Sequence, residues 1–93
     1  MTNSIDNILA QLENADNKSK SILENELVEI GNQAVPELVK TLSVAKGTVR
    51  GVIAMTLIRI GQASVECLRK AATVNKDLKW IADYLITEIN LAA

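Results

Sequence analysis

Two features decide at once what chemistry the chain can carry: it has no histidine, and its single cysteine is Cys67. Histidine is the commonest general base near neutral pH and the commonest metal ligand, and a structural zinc site draws its four ligands mainly from Cys and His. Neither a zinc site nor an intramolecular disulfide can be assembled from this set. Cys67 has no histidine to take its proton, so its type suggests a small residue tucked at a helix interface. Glu24 and Glu26 stand two apart, which places them on different faces of a helix and offers no acid/base dyad. No catalytic, metal-binding or cofactor-binding residue is assigned. What remains is recognition, by charge and by aromatic surface.

The recognition candidates are spaced by a repeat. Glu29 to Leu42 reads EIGNQAVPELVKTL, and thirty residues on Arg59 to Ala72 reads RIGQASVECLRKAA. Laid over each other and over the N-terminus, these segments give the columns Asp6/Pro36/Glu66, Asn7/Glu37/Cys67, Ala10/Lys40/Lys70 and Gln11/Thr41/Ala71. The Lys40/Lys70 column sets like charges on neighbouring helices, which is unfavourable unless something acidic lies against them. One reading is an acidic segment of a partner protein held by Glu37, Lys40, Thr41, Glu66 and Lys70. The other is an ordinary solvated face, with Glu37 pairing Lys40 at i+3 and Glu66 pairing Lys70 at i+4. Lys20 and Arg50 share a position near the starts of two helices, where a phosphate or sulfate can bind, although no glycine-rich cradle accompanies them. Trp80 and Tyr84, the only aromatic residues, are spaced i, i+4 and share one helix face. Such pairs anchor interfaces. With Ile81, Leu85, Ile86 and Ile89 they either close the core or dock on a second copy or another protein.

The elements that position these residues follow from the same repeat. At an offset of thirty, Leu27/Leu57, Val28/Ile58, Ile30/Ile60, Gly31/Gly61, Val35/Val65 and Leu38/Leu68 align; Ile5, Ile8, Leu9 and Leu12 fall under Val35, Leu38, Val39 and Leu42. At an offset of 28, Ile53, Ala54, Leu57 and Ile58 meet Ile81, Ala82, Leu85 and Ile86. The spacing Ile5, Ile8, Leu9, Leu12 is i, i+3, i+4, i+7, one apolar stripe on a helix. The pattern predicts short helices over roughly 4–13, 33–43 and 63–73 and long ones over roughly 18–30, 48–60 and 78–91. Gly31 and Gly61 fall where a long helix should end in the left-handed conformation, Asn32 is placed to cap the next helix, and Pro36 is near enough to that start for its missing N–H to be harmless. A central long helix with neighbours on both sides should be the most apolar, and from Val52 to Ile60 only Thr56 and Arg59 are polar.

Composition narrows the class further. Hydrophobic residues make up 48% of the 93 but aromatics only 2%, so the core is aliphatic and suits close-packed helices better than strands. Residues 1–45 carry seven acids and three bases, residues 46–93 four acids and seven bases, leaving −4 and +3 on the two halves. That distribution does not predict a nucleic-acid binder, which concentrates basic and aromatic residues on one surface; it is compatible with self-association. No basic segment leads into an apolar one at the start, so no secretory signal is expected, and with no uncharged apolar run of about 18 residues no membrane span is expected. One cysteine suits a reducing, cytoplasmic setting.

The segment VRGVIAMTLIRIGQASVECLRKA resembles a HEAT repeat of the short, roughly thirty-residue kind found in phycobilisome lyases. The Val49-Arg50 pair, Ala54, Leu57, Ile60-Gly61, Val65 and Leu68 carry the resemblance, and it extends over nearly the whole chain. It implies an all-α fold: a short right-handed α-solenoid of three helix pairs, an α-α superhelix in one domain (1–93) with units roughly 4–30, 33–60 and 63–91. It also implies that the short helices line a concave surface and that Arg50 bridges units by hydrogen bonds to loop carbonyls. The function expected is a non-catalytic, protein-binding scaffold with a charged concave face and an aromatic end. The alternatives are an accessory protein in attaching bilin to, or removing it from, phycobiliproteins, and a homo-oligomeric subunit with Trp80 and Tyr84 at the two-fold contact of a homodimer.

Overall fold

The computed structural model describes residues 4–92. Among them every regular element is helical and no strand occurs: α1 (Ser4–Leu12), α2 (Asn17–Ile30), α3 (Val35–Leu42), α4 (Gly47–Ile60), α5 (Val65–Val74) and α6 (Lys79–Ala92), with 3-10 turns at Gly31–Ala34, Gly61–Ser64 and Lys76–Leu78. Helix starts and stops have local causes. Asp16 caps α2, its carboxylate accepting from the Ser19 N–H at 2.8 Å, which satisfies one of the donors a helix start leaves open.

α2 and α4 end alike. The N–H of Gly31 donates to the Leu27 carbonyl and that of Gly61 to the Leu57 carbonyl. At both glycines φ is positive, 70° and 87°, as expected, but ψ is −132° and −140°, an extended rather than a left-handed helical value. This throws the chain straight into a 3-10 turn and overturns the expected capping of the next helix by Asn32. The Asn32 backbone carbonyl accepts from the Val35 N–H, and no side chain caps α3. Hence α3 starts two residues later than the pattern predicts, with Pro36 in its first turn.

The long helices lie in a row, α2 against α4 and α4 against α6; each short helix packs on the long one that follows it, and α3 also packs on α5. One apolar cluster runs through all six helices. Ile53 and Leu57 of α4 are completely buried. On α4 the exposed residues beyond its first, Gly47, reduce to a narrow line, Thr48, Gly51, Met55 and Arg59, whereas α2 and α6 each expose a broader face. A helix flanked on both sides has that pattern. Thr56, polar by type, is also fully buried, its hydroxyl donating to the Val52 carbonyl at 2.7 Å.

Arg69 stands at the register of Leu9 and Val39. Val39 is buried, while Arg69 is exposed. By length and composition the stretch Gly47–Val74 is apolar enough to cross a membrane, but Gly61 divides it. The 14 residues of α4 extend about 21 Å at 1.5 Å per residue, against a hydrocarbon thickness of about 30 Å.

Candidate functional site

The short-helix face is set by α3 and α5 lying side by side. Lys40 and Lys70 are exposed there, Glu66 is exposed, and Glu37 and Thr41 are half-buried. Among the described residues neither lysine forms an ion pair with Glu37 or Glu66. The i+3 and i+4 pairings that the sequence offers are therefore not made, and the two ammonium groups carry no internal counter-charge from those residues. Thr41 turns away from the lysines' role. It lines an open groove of about 650 Å³ with Leu9, Ala10, Glu13 and Val44, and its carbonyl accepts the N–H groups of Val44 and Ala45. Cys67 is half-buried on the same helix; burial pushes its thiol above the ordinary range, with Lys70 pulling the other way. A protonated thiol is a poor nucleophile.

The second surface belongs to α6. Ile81, Leu85 and Ile89 turn inward and are buried, so they close the core; Trp80 and Tyr84 face outward, 64% and 57% exposed. Of the residues the sequence grouped together on this helix, Ile81, Leu85 and Ile89 thus belong to the core and Ile86 is half-buried, while Trp80 and Tyr84 lie on its exposed side. The 28-residue register holds along most of the two helices: buried Ile53 and Leu57 correspond to buried Ile81 and Leu85, and exposed Gly51, Met55 and Arg59 to exposed Lys79, Asp83 and Thr87, while buried Thr56 meets exposed Tyr84. The turn Lys76–Leu78 before α6 has no counterpart before α2 or α4.

Lys20 and Arg50 do not converge on one anion. Each reaches forward to the next long helix. The Lys20 ammonium donates to the Thr48 hydroxyl at 3.0 Å, and the Arg50 guanidinium lies over the Trp80 ring, its Cζ 5.4 Å from the centroid. Among the described residues the expected hydrogen bonds from Arg50 to loop carbonyls are not made; its Nε is buried without an acceptor, and the side chain lies over the ring instead. By contrast Arg59 on the same helix is paired, its Nη1 donating to Glu24 at 2.7 Å and to Asn25 at 2.8 Å across the α2–α4 contact.

A further open groove at the α1–α2 end was not signalled as a site. It measures about 650 Å³ and is lined by Asn7, Gln11, Asn14, Ser19, Leu23 and Glu26, with Ile22 at its rim 52% exposed. Its trace in the sequence is Ile22 itself, an apolar residue one step off the Leu23–Leu27 stripe. Among the described residues no group of three or more His, Cys, Asp or Glu could hold a metal ion. Compared with family models, with curated proteins and with solved structures, the chain matches none.

Proposed function

We propose that this chain is a short right-handed α-solenoid of three helix pairs, HEAT-like in its repeats, which works in the cytoplasm without catalysis by binding another protein. The row α2–α4–α6, the α3–α5 contact and the buried central helix are what such a stack requires. The observation that carries the binding role is the aromatic pair. Trp80 and Tyr84 stand in water while the opposite side of their own helix supplies the core, and exposed aromatic surface of this kind marks interaction sites. The Lys40/Lys70 column, without partners in Glu37 and Glu66, is the second contact surface and suits an acidic segment. The bilin-handling alternative gains nothing from the geometry, since the grooves are open.

Affinity capture from native lysate, read by quantitative mass spectrometry, tests the proposal with three baits: the parent, Trp80→Ala/Tyr84→Ala and Lys40→Glu/Lys70→Glu. A partner taken by the parent and lost from either double variant supports it. Identical captured sets from all three overturn it. If the captured species is the chain itself, and the aromatic variant has half the parent's solution mass, the partner is a second copy.

A further inference from the structure

We infer that Arg50 and Trp80 together form a receiver for a carboxylate: an Asp or Glu in an acidic segment of the partner pairs with the Arg50 guanidinium, while an adjoining apolar side chain lies on Trp80 and Tyr84. This rests on the protein-binding reading above and names the chemistry of what is bound.

The argument begins with what Arg50 lacks. Its guanidinium makes no hydrogen bond and no ion pair among the described residues, and its Nε is already removed from water. A buried polar group without a partner is rare in folded chains and calls for a cause. Two residues in matched settings show the contrast. Arg59 on the same helix has both Glu24 and Asn25, and Lys20, at the position of Arg50 one helix back, has Thr48. Arg50 alone of the three is left with unmatched charge. What it has instead is the face of Trp80 at 5.4 Å, which attracts the cation but accepts no N–H in the ring plane. The ring contact holds the Arg50 Cζ near Trp80 but satisfies none of its N–H groups, and the outer ones are left for an acceptor. A carboxylate meets the guanidinium fork with two parallel hydrogen bonds.

The neighbours decide the class of ligand. Around Trp80 lie Lys76, Asp77, Lys79 and Asp83, and Lys79 is taken up by Asp83 at 2.8 Å. These two acids and two bases sum to no net charge, so they offer a polyphosphate chain no run of basic groups along its track. A single carboxylate needs no such run, only the Arg50 guanidinium. The exposed ring of Trp80 and the Tyr84 ring one turn further on supply an apolar floor beside it.

Selection of short random peptides on the full-length chain, followed by titration of synthetic versions, tests this, because Trp80 is the only tryptophan and its fluorescence reports on the site. The expected peptides carry Asp or Glu beside an aliphatic or aromatic residue and perturb Trp80 emission. Changing that acid to its amide lowers affinity about tenfold or more, and Arg50→Gln has the same effect, with no further loss when both changes are combined. Arg50→Lys restores part of the affinity, since it keeps the charge but not the fork. The amide peptide is tested on the unaltered protein, so the result does not depend on how Arg50→Gln folds. Peptides that bind without an acid, or that bind Arg50→Gln as well as the parent yet are lost on Tyr84→Ala, remove the carboxylate receiver and leave the protein-binding reading standing. Tighter perturbation of Trp80 by oligothymidylate than by any peptide also overturns it. Recovery of no peptide removes both readings.

Discussion

Ser64, in the turn after α4, donates its buried hydroxyl to the Leu57 carbonyl at 3.0 Å, the same carbonyl that accepts the Gly61 N–H. Thirty residues earlier the equivalent position is Ala34, also completely buried, where the Leu27 carbonyl accepts from Gly31. The two turns are thus nearly the same with and without the hydroxyl. Ser64→Ala is expected to lower stability by about 0.5–1.5 kcal/mol, the net value of one such bond, measured as a shift in the urea unfolding midpoint. A loss well above that range would mean that the turn depends on the hydroxyl, which Ala34 argues against.

The buried centre of α4 gives a larger contrast within two residues. Leu57 is fully buried and Met55 is 51% exposed. Leu57→Ala removes core methyl groups and leaves a cavity, expected to cost about 2–5 kcal/mol. Met55→Ala is expected to stay within about 0.5 kcal/mol of the parent. Helical signal followed through chemical denaturation separates them, and comparable losses would contradict the orientation of α4.

Most of the helix layout is legible in the sequence because one constraint, burial of an aliphatic stripe, is written in it three times. Ile5, Ile8 and Leu12 announce α1 as plainly as Val35, Leu38 and Leu42 announce α3, and all six are buried. Where the spacing failed, the cause was geometry that no local pattern encodes. Asn32 after a glycine looks like a cap, but the ψ of −132° at Gly31 leads the chain into a 3-10 turn first. Thr56 looks polar, yet its hydroxyl is satisfied by the Val52 carbonyl and the side chain then packs as an apolar one. The candidate site was legible as residue types only. Lys40, Lys70, Trp80 and Tyr84 could be named from spacing, but the seating of Arg50 on Trp80 depends on how α6 rotates against α4, a relation between residues thirty apart.

The Asp16 cap predicts an acid dependence. Backbone and side-chain hydrogen bonds from Ser19 hold its carboxyl below the ordinary value of 3.8. A carboxyl depressed in the fold contributes stability that is present above its unfolded value near 3.9 and disappears as pH falls through the lower folded value. Asp16→Ala is therefore expected to lower the melting temperature at pH 7 and to have much less effect at pH 2. The protection of the Ser19 amide, its exchange rate relative to that of an unstructured amide at the same pH, should fall on acidification in the parent and change much less in the variant. An equal melting-temperature loss at both pH values would place the role of Asp16 outside its charge.

Gly51 and Gly61, ten residues apart, isolate backbone conformation from packing. A Cβ built on either meets nothing within 4 Å, so neither substitution by alanine is decided by space. Gly51 lies inside α4 and faces solvent; there alanine restricts the unfolded chain and favours helix, for an expected gain of about 0.4–1 kcal/mol. Gly61 has φ 87° and ψ −140°, a region that is nearly glycine-only, and alanine there is expected to cost about 1–3 kcal/mol. The two variants should move the thermal midpoint in opposite directions. The sign at Gly61 matters most, because this glycine separates α4 from α5 in the apolar stretch Gly47–Val74. If Gly61→Ala were neutral or stabilising, the favoured path at that point would be continued helix, α5 could not fold back, and the contact between α3, which carries Lys40, and α5, which carries Lys70, would not form.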